Sequence, residues 1–188
     1  MNASRIARIL GLTLMVGLLT PIAVYAADSS ATPPTWLLVQ DAANGSLVGT
    51  DDQKLTLTLK GLPLYTSAFT DRPDKLAVAL PNQTLVDNWA TAFASSPPNA
   101  TLSYRRAGSV RPTNIVLTLT SPSYDAKKHT ISYKAAVVFR TLSKDAPNAP
   151  GFAIPIPKSF GAASLFIDGL SAGQITIGNN SGFTSPTK

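Results

Sequence analysis

Two stretches decide the fold class: Leu55-Thr56-Leu57-Thr58-Leu59, and the run TISYKAAVVF from Thr130 to Phe139. In the first, leucine and threonine alternate, the period of a strand with one buried face and one face wetted by hydroxyls. The second is long, β-branched and aromatic, and reads as the longest strand of the chain. Outward from these, Thr101–Tyr104 alternates and Ile115–Leu119 is rich in β-branched residues. Ile115–Leu119 and Thr130–Phe139 form a hairpin, joined by the turn-rich stretch Ser121–Lys128. Trp36–Val39 opens the ordered chain, and Gly45 and Gly49 bracket a short second strand before an Asp51-Asp52 turn. Ser164–Asp168 and Gln174–Ile177 supply two short closing strands. Leu76–Leu80 alternates too briefly to separate strand from loop.

Thr84 to Ser95 is the one helix. Leu85, Trp89 and Phe93 fall four apart on one face, Thr84 can cap with Asp87 three residues on, and Pro97-Pro98 forbids continuation. Seven or more short strands around one inserted short helix predict a mostly β, antiparallel β-sandwich, with a closed barrel as the alternative. A membrane barrel needs strands of about ten alternating residues, and only Thr130–Phe139 approaches that.

The N-terminus predicts export. Arg5 and Arg8 precede an uncharged apolar run from Ile9 to Leu19, Pro21 breaks it, and Val24-Tyr25-Ala26 ends in small residues. That is the three-part secretory signal, with cleavage after Ala26. Residues 1–26 are then the signal peptide, 27–34 a flexible leader, 35–178 a single β domain and 179–188 a frayed tail. Of 16 basic residues, 14 remain after cleavage against 10 acids, a net charge of about +4. Every acid is Asp; the lack of Glu disfavours a helical fold. With no cysteine and one histidine, neither disulfides, thiolate chemistry nor an ordinary zinc site is on offer, and no cofactor is predicted.

One segment stands out. Leu64 to Asp74 reads LYTSAFTDRPD, dense in polar groups between apolar strands. A turn through Asp71, Arg72, Pro73 and Asp74 can hold its guanidinium in a fork against a carboxylate, within the domain or in a ligand. Tyr65, Ser67, Asp71, Arg72 and Asp74 are the candidate binding residues. Trp89, Pro97, Pro98 and Asn99 are the candidate structural set, with Asn99 bonding the local backbone after the two prolines. Phe69–Asp74, Trp89 on its helix, Pro97-Pro98-Asn99-Ala100 and Ser164–Asp168 together resemble a family of exported prokaryotic β proteins over about residues 53–168. Members carry a Ser/Thr-Asp-Arg-Pro turn, a Trp-bearing helix and a Pro-Pro-Asn-Ala motif. The resemblance implies a shared fold and brings no activity with it.

Enzymatic readings fare poorly. His129 sits in Lys127-Lys128-His129 at a hairpin turn, and no Gly-x-Ser-x-Gly elbow exists. Asp71 and Asp74 flank an arginine that would lower their pKa values, against the raised acid a glycosidase needs. The basic residues are scattered apart from Arg105-Arg106-Arg111 and Lys127-Lys128, so nucleic acid is a poor fit; phosphate or sulfate groups of an envelope suit such patches better. The chain reads as an exported, non-enzymatic binding or structural module acting on an unidentified ligand or envelope component, with no membrane span after signal cleavage. The Tyr65–Asp74 turn and the Pro-rich loop Leu142–Pro157 are its ligand region. A carboxylate–Arg enzyme at Asp71, Arg72 and Asp74, or a self-assembling surface protein, are the rivals.

Overall fold

Alternation of buried and exposed residues runs through every long strand of the fold. The structure, a computed structural model, describes residues 35–70, 75–106, 110–140, 156–171, 175–176 and 182–183. These belong to one unit, Thr32–Lys188. The expected signal peptide and leader, the expected turn at 71–74 and most of the loop expected at 142–157 lie outside the described residues. In chain order come β1 (Thr35–Ala42), β2 (Asn44–Gly49), β3 (Leu55–Lys60), β4 (Tyr65–Thr70) and β5 (Ala77–Pro81). Then follow α1 (Asn82–Asp87), α2 (Trp89–Ala92), β6 (Asn99–Arg105), β7 (Pro112–Asp125), β8 (Thr130–Arg140) and β9 (Ala163–Ser171). A separate two-stranded ladder joins β10 (Ile175–Thr176) to β11 (Gly182–Phe183), the latter within the stretch expected to fray. No described helix is long and apolar enough to cross a membrane.

The fold is mostly β, as predicted, but the strands form one antiparallel sheet of nine in the order β2-β3-β8-β7-β6-β9-β1-β4-β5. The sheet is curled. Three strands separate β8 from β1, about 19 Å on a flat sheet, yet Tyr133 on β8 donates a hydrogen bond to Gln40 on β1 at 2.9 Å. One continuous sheet thus wraps its own core, where two packed sheets were expected. Register shifts between Val116 and Leu117, between Thr120 and Ser123, and between Trp36 and Leu38 supply local bends.

The second of these shifts corrects a sequence expectation. Ser121-Pro122 was expected to begin the hairpin connection, but β7 runs through it to Asp125. Ser121 takes a left-handed φ of 48°, and Pro122, which has no N–H to donate, falls in the bulge. Pairing resumes at Ser123 opposite Ser132. The turn itself is Ala126–His129, closed by the Lys128 N–H donating to Asp125 Oδ1 at 3.1 Å and by an ion pair of 3.2 Å. The Lys128 backbone amide, and then its ammonium, hold the Asp125 carboxyl below its ordinary range.

Inward positions carry the core: Leu57 and Leu59 on β3, Leu117 and Leu119 on β7, Leu165 and Ile167 on β9 are all fully buried. Each such side chain contributes about 1.5–3 kcal/mol by leaving water. The helix is in two pieces. Asn88 interrupts it, its N–H and its Nδ2 both donating to Thr84 O, at 3.2 and 2.9 Å. The helix begins at Asn82, so Thr84 lies inside it and makes no cap. Leu85, Trp89 and Phe93 are buried as their spacing predicts, and the Trp89 ring lies 4.5 Å from Phe93 and 5.3 Å from Tyr133.

A directed chain of hydrogen bonds crosses this interior. Tyr133 Oη donates to Gln40 Oε1, Gln40 Nε2 to Thr66 Oγ1 at 3.0 Å, and Thr66 Oγ1 to Asn82 Oδ1 at 2.7 Å. Asn82 Nδ2 ends the chain on Pro63 O at 2.7 Å. Tyr133, Gln40, Thr66 and Asn82 thereby pair one another's buried polar groups, and the relay ties β8, β1, β4 and the start of α1 into one curl. Burial pushes the Tyr133 phenol well above its ordinary value; the bond to Gln40 opposes that only in part.

Candidate functional site

The candidate region begins with an inversion on β4. Its sequence, Tyr-Thr-Ser-Ala-Phe-Thr, offers two faces: Tyr65, Ser67 and Phe69, or Thr66, Ala68 and Thr70. Hydrophobicity alone would bury the aromatic face. The structure buries the other one: Thr66 is 0% exposed, while Tyr65 is 54% and Phe69 40% exposed. The reason is long-range. Thr66 is the middle link of the buried polar chain, and Thr70 Oγ1 accepts the Leu76 N–H at 3.0 Å where the chain returns into β5. Lys75, at φ 48°, permits that return. With side-chain period fixed at two, committing the threonines inward sends both aromatics outward.

Neighbouring strands extend the apolar surface. Phe69 pairs with Leu37 of β1 and Ala77 of β5, and Ser67 pairs with Val39 and Ala79. Val39 in turn faces Phe166 of β9, which is 36% exposed. The outer side of β9-β1-β4-β5 is therefore a largely apolar face around Ser67. It ends at β5, which has no described neighbour on its far side.

The ladder between β4 and β5 fixes which backbone groups that edge offers. Thr70 N donates to Leu76 O at 2.9 Å and Asn82 N to Leu64 O at 3.1 Å. In an antiparallel pair such bonds recur every second residue, so Val78 and Leu80 bond to β4 while Ala77 and Ala79 turn their N–H and C=O outward. The opposite edge is treated differently. On β2, Gly45 exchanges backbone bonds of 3.0 and 2.9 Å with Phe160. A Cβ at Gly45 would come within 2.6 Å of the Phe160 ring, so glycine is required for that cover. One sheet edge is covered at Gly45; the other carries no Lys, Asp or bulge among Ala77–Leu80 to discourage pairing.

Of the predicted binding residues, the structure brings Tyr65 and Ser67 together on this exposed face. Asp71, Arg72 and Asp74 lie outside the described residues. Trp89 is buried in the core. Pro98 is buried and its carbonyl accepts the Leu119 N–H at 3.0 Å, while Pro97 is exposed. Asn99 corrects an expectation: its Oδ1 accepts from Thr118 Oγ1 of the paired strand at 3.2 Å, where a local backbone bond was predicted. The sequence reading missed Phe69, Leu76 and Phe166 as surface residues. The Thr-x-x-x-Thr phase of β4 was the available signal, readable only with knowledge of Gln40 and Asn82 as partners.

A concavity of about 410 Å³ lies on the outer side of β3, β8 and β7, lined by Thr56, Thr118, Thr120, Lys134 and the Gln53-Lys54 turn. That turn is held over β8 by the Val137 N–H donating to Asp52 O at 2.7 Å. Among the described residues no three acidic or imidazole side chains gather as a metal-ligand set. His129 Nδ1 lies 3.2 Å from Leu62 O, at the hairpin turn. No protein-family model matches the chain, nor does any curated protein or solved structure.

Proposed function

We propose that the chain is an exported, non-enzymatic binding module of the cell envelope, and that it captures an extended polypeptide segment by strand addition to β5. Export rests on the basic start, apolar run and small-residue cleavage site within residues 1–26. The binding reading rests on one observation: β4 exposes Tyr65 and Phe69 beside β5, an uncharged strand with no described neighbour on its far side. Added strands gain affinity from backbone bonds to Ala77 and Ala79, and selectivity from alternate side chains seated on the apolar face.

The test uses the mature protein, residues 27–188, and a phage-displayed library of ten-residue peptides. Enriched peptides alternate apolar and polar residues. Ala77→Pro combined with Ala79→Pro weakens them about thirtyfold, two hydrogen bonds at about 1 kcal/mol each. Neither proline removes a bond to β4, so folding is retained. Undiminished binding to the double variant, or failure to enrich any peptide, contradicts the proposal.

A further inference from the structure

Arg105 ends β6, the middle strand of the nine, and Arg106 follows it. Strand alternation sends Tyr104 inward and Arg105 outward, and Arg106 follows at the rim. Arg105 stands opposite Pro112 across the hairpin, which places Arg111 at the next step, beside Arg106. The facing wall is the segment Pro157–Gly161. Phe160 pins it, bonded through its backbone to Gly45 and with its ring 5.2 Å from Tyr104.

Between the two lies a cleft of about 410 Å³ lined by Arg105, Arg106, Ser159, Phe160 and Gly161. A Cβ built on Gly161 would meet nothing within 4 Å, so the floor beside it is open. Among the described residues no carboxylate lines the cleft, and neither the Arg105 nor the Arg106 side chain makes an ion pair or hydrogen bond with them. Adjacent like charges repel, and folding gains nothing visible from holding them here. Guanidinium forks match tetrahedral oxyanions with paired, charge-assisted bonds, and a serine hydroxyl adds a further donor.

We infer that this cleft binds a phosphate or sulfate ester through Arg105 and Arg106, with Ser159 as an added donor. The site is independent of the β5 edge. Its occupant is either a lipid phosphate of the envelope or a soluble ester, which share the recognising chemistry.

Inorganic phosphate is titrated into the mature protein while the arginine Nε–Hε signals are followed by NMR. Saturable shifts are expected, with Arg105→Ala and Arg106→Ala each weakening binding about tenfold. Arg106→Lys recovers only part, because an ammonium lacks the fork. Lys127→Ala with Lys128→Ala, a basic pair on another turn, leaves binding unchanged. Co-sedimentation with phosphatidylglycerol vesicles that is lost in the double Arg variant assigns a lipid phosphate. Phosphate binding without co-sedimentation assigns a soluble ester. Absent phosphate and sulfate binding, or equal binding by the Arg105→Ala/Arg106→Ala protein, overturns the inference.

Discussion

Removing one oxygen from the core tests how the sheet holds its curl. Tyr133→Phe keeps the ring against Trp89 and deletes the donor to Gln40 Oε1. Gln40 is 2% exposed, so water cannot replace the lost partner. An abandoned buried acceptor costs about 1–3 kcal/mol, and the middle of that range lowers Tm by about 4–8 °C in a domain of this size. A second readout is specific to the hydroxyl. Burial raises the folded-state pKa of Tyr133 above its ordinary value of 10.0. A raised pKa means the stabilisation is complete below pH 10 and is lost as pH climbs above it, at about 1.4 kcal/mol per pH unit. The phenylalanine variant has no such loss. Urea unfolding of both proteins from pH 7 to 11.5 should therefore show a gap of about 2 kcal/mol that closes near the alkaline limit. A Tm change under about 1 °C at pH 7, or parallel pH slopes, would refute the cross-core role assigned to this bond.

Two further outcomes follow, one from the structure and one from the sequence of the N-terminus. Gly45→Ala forces a Cβ to within 2.5 Å of Thr58 O and against the Phe160 ring; it should cost about 1–3 kcal/mol in chemical denaturation and raise protease sensitivity around Phe160. Expression of the full-length gene in a bacterial host should yield a product whose N-terminal sequencing starts at Ala27, outside the cytosol; an intact Met1 start in the cytosolic fraction contradicts export.

Much of the fold was legible because its signals are local. Leu55–Leu59 and Thr130–Phe139 alternate as strands do, and their leucines, isoleucine and tyrosine are buried. The Leu85, Trp89 and Phe93 face is likewise a short-range pattern. What escaped is set at a distance. Thr66 is drawn inward by Gln40, 26 residues before it, and by Asn82, 16 residues after it. Tyr133 and Gln40 are 93 residues apart, so no window of sequence shows that the sheet curls around its own core. Ser121-Pro122 looks like a turn in isolation and becomes a bulge only because β8 supplies a partner on both sides of it. The same holds for Asn99, which spends its side chain on Thr118 across a strand pair. For the proposed site, the sequence singled out Tyr65 and Ser67, which the structure places on one exposed face of β4. The apolar character of the surface around them depends on which strands lie alongside.

Amide hydrogen exchange along β5 tests the open edge directly. In the isolated mature protein, the Val78 and Leu80 amides should exchange slowly, held by β4, while Ala77 and Ala79 exchange at rates near those of solvated loops. A bound extended peptide should slow the odd-numbered pair and leave the even-numbered pair unchanged. Ala77 and Ala79 amides as protected as Val78 and Leu80 in the free monomer would show the edge already covered, and strand addition would have no place to occur.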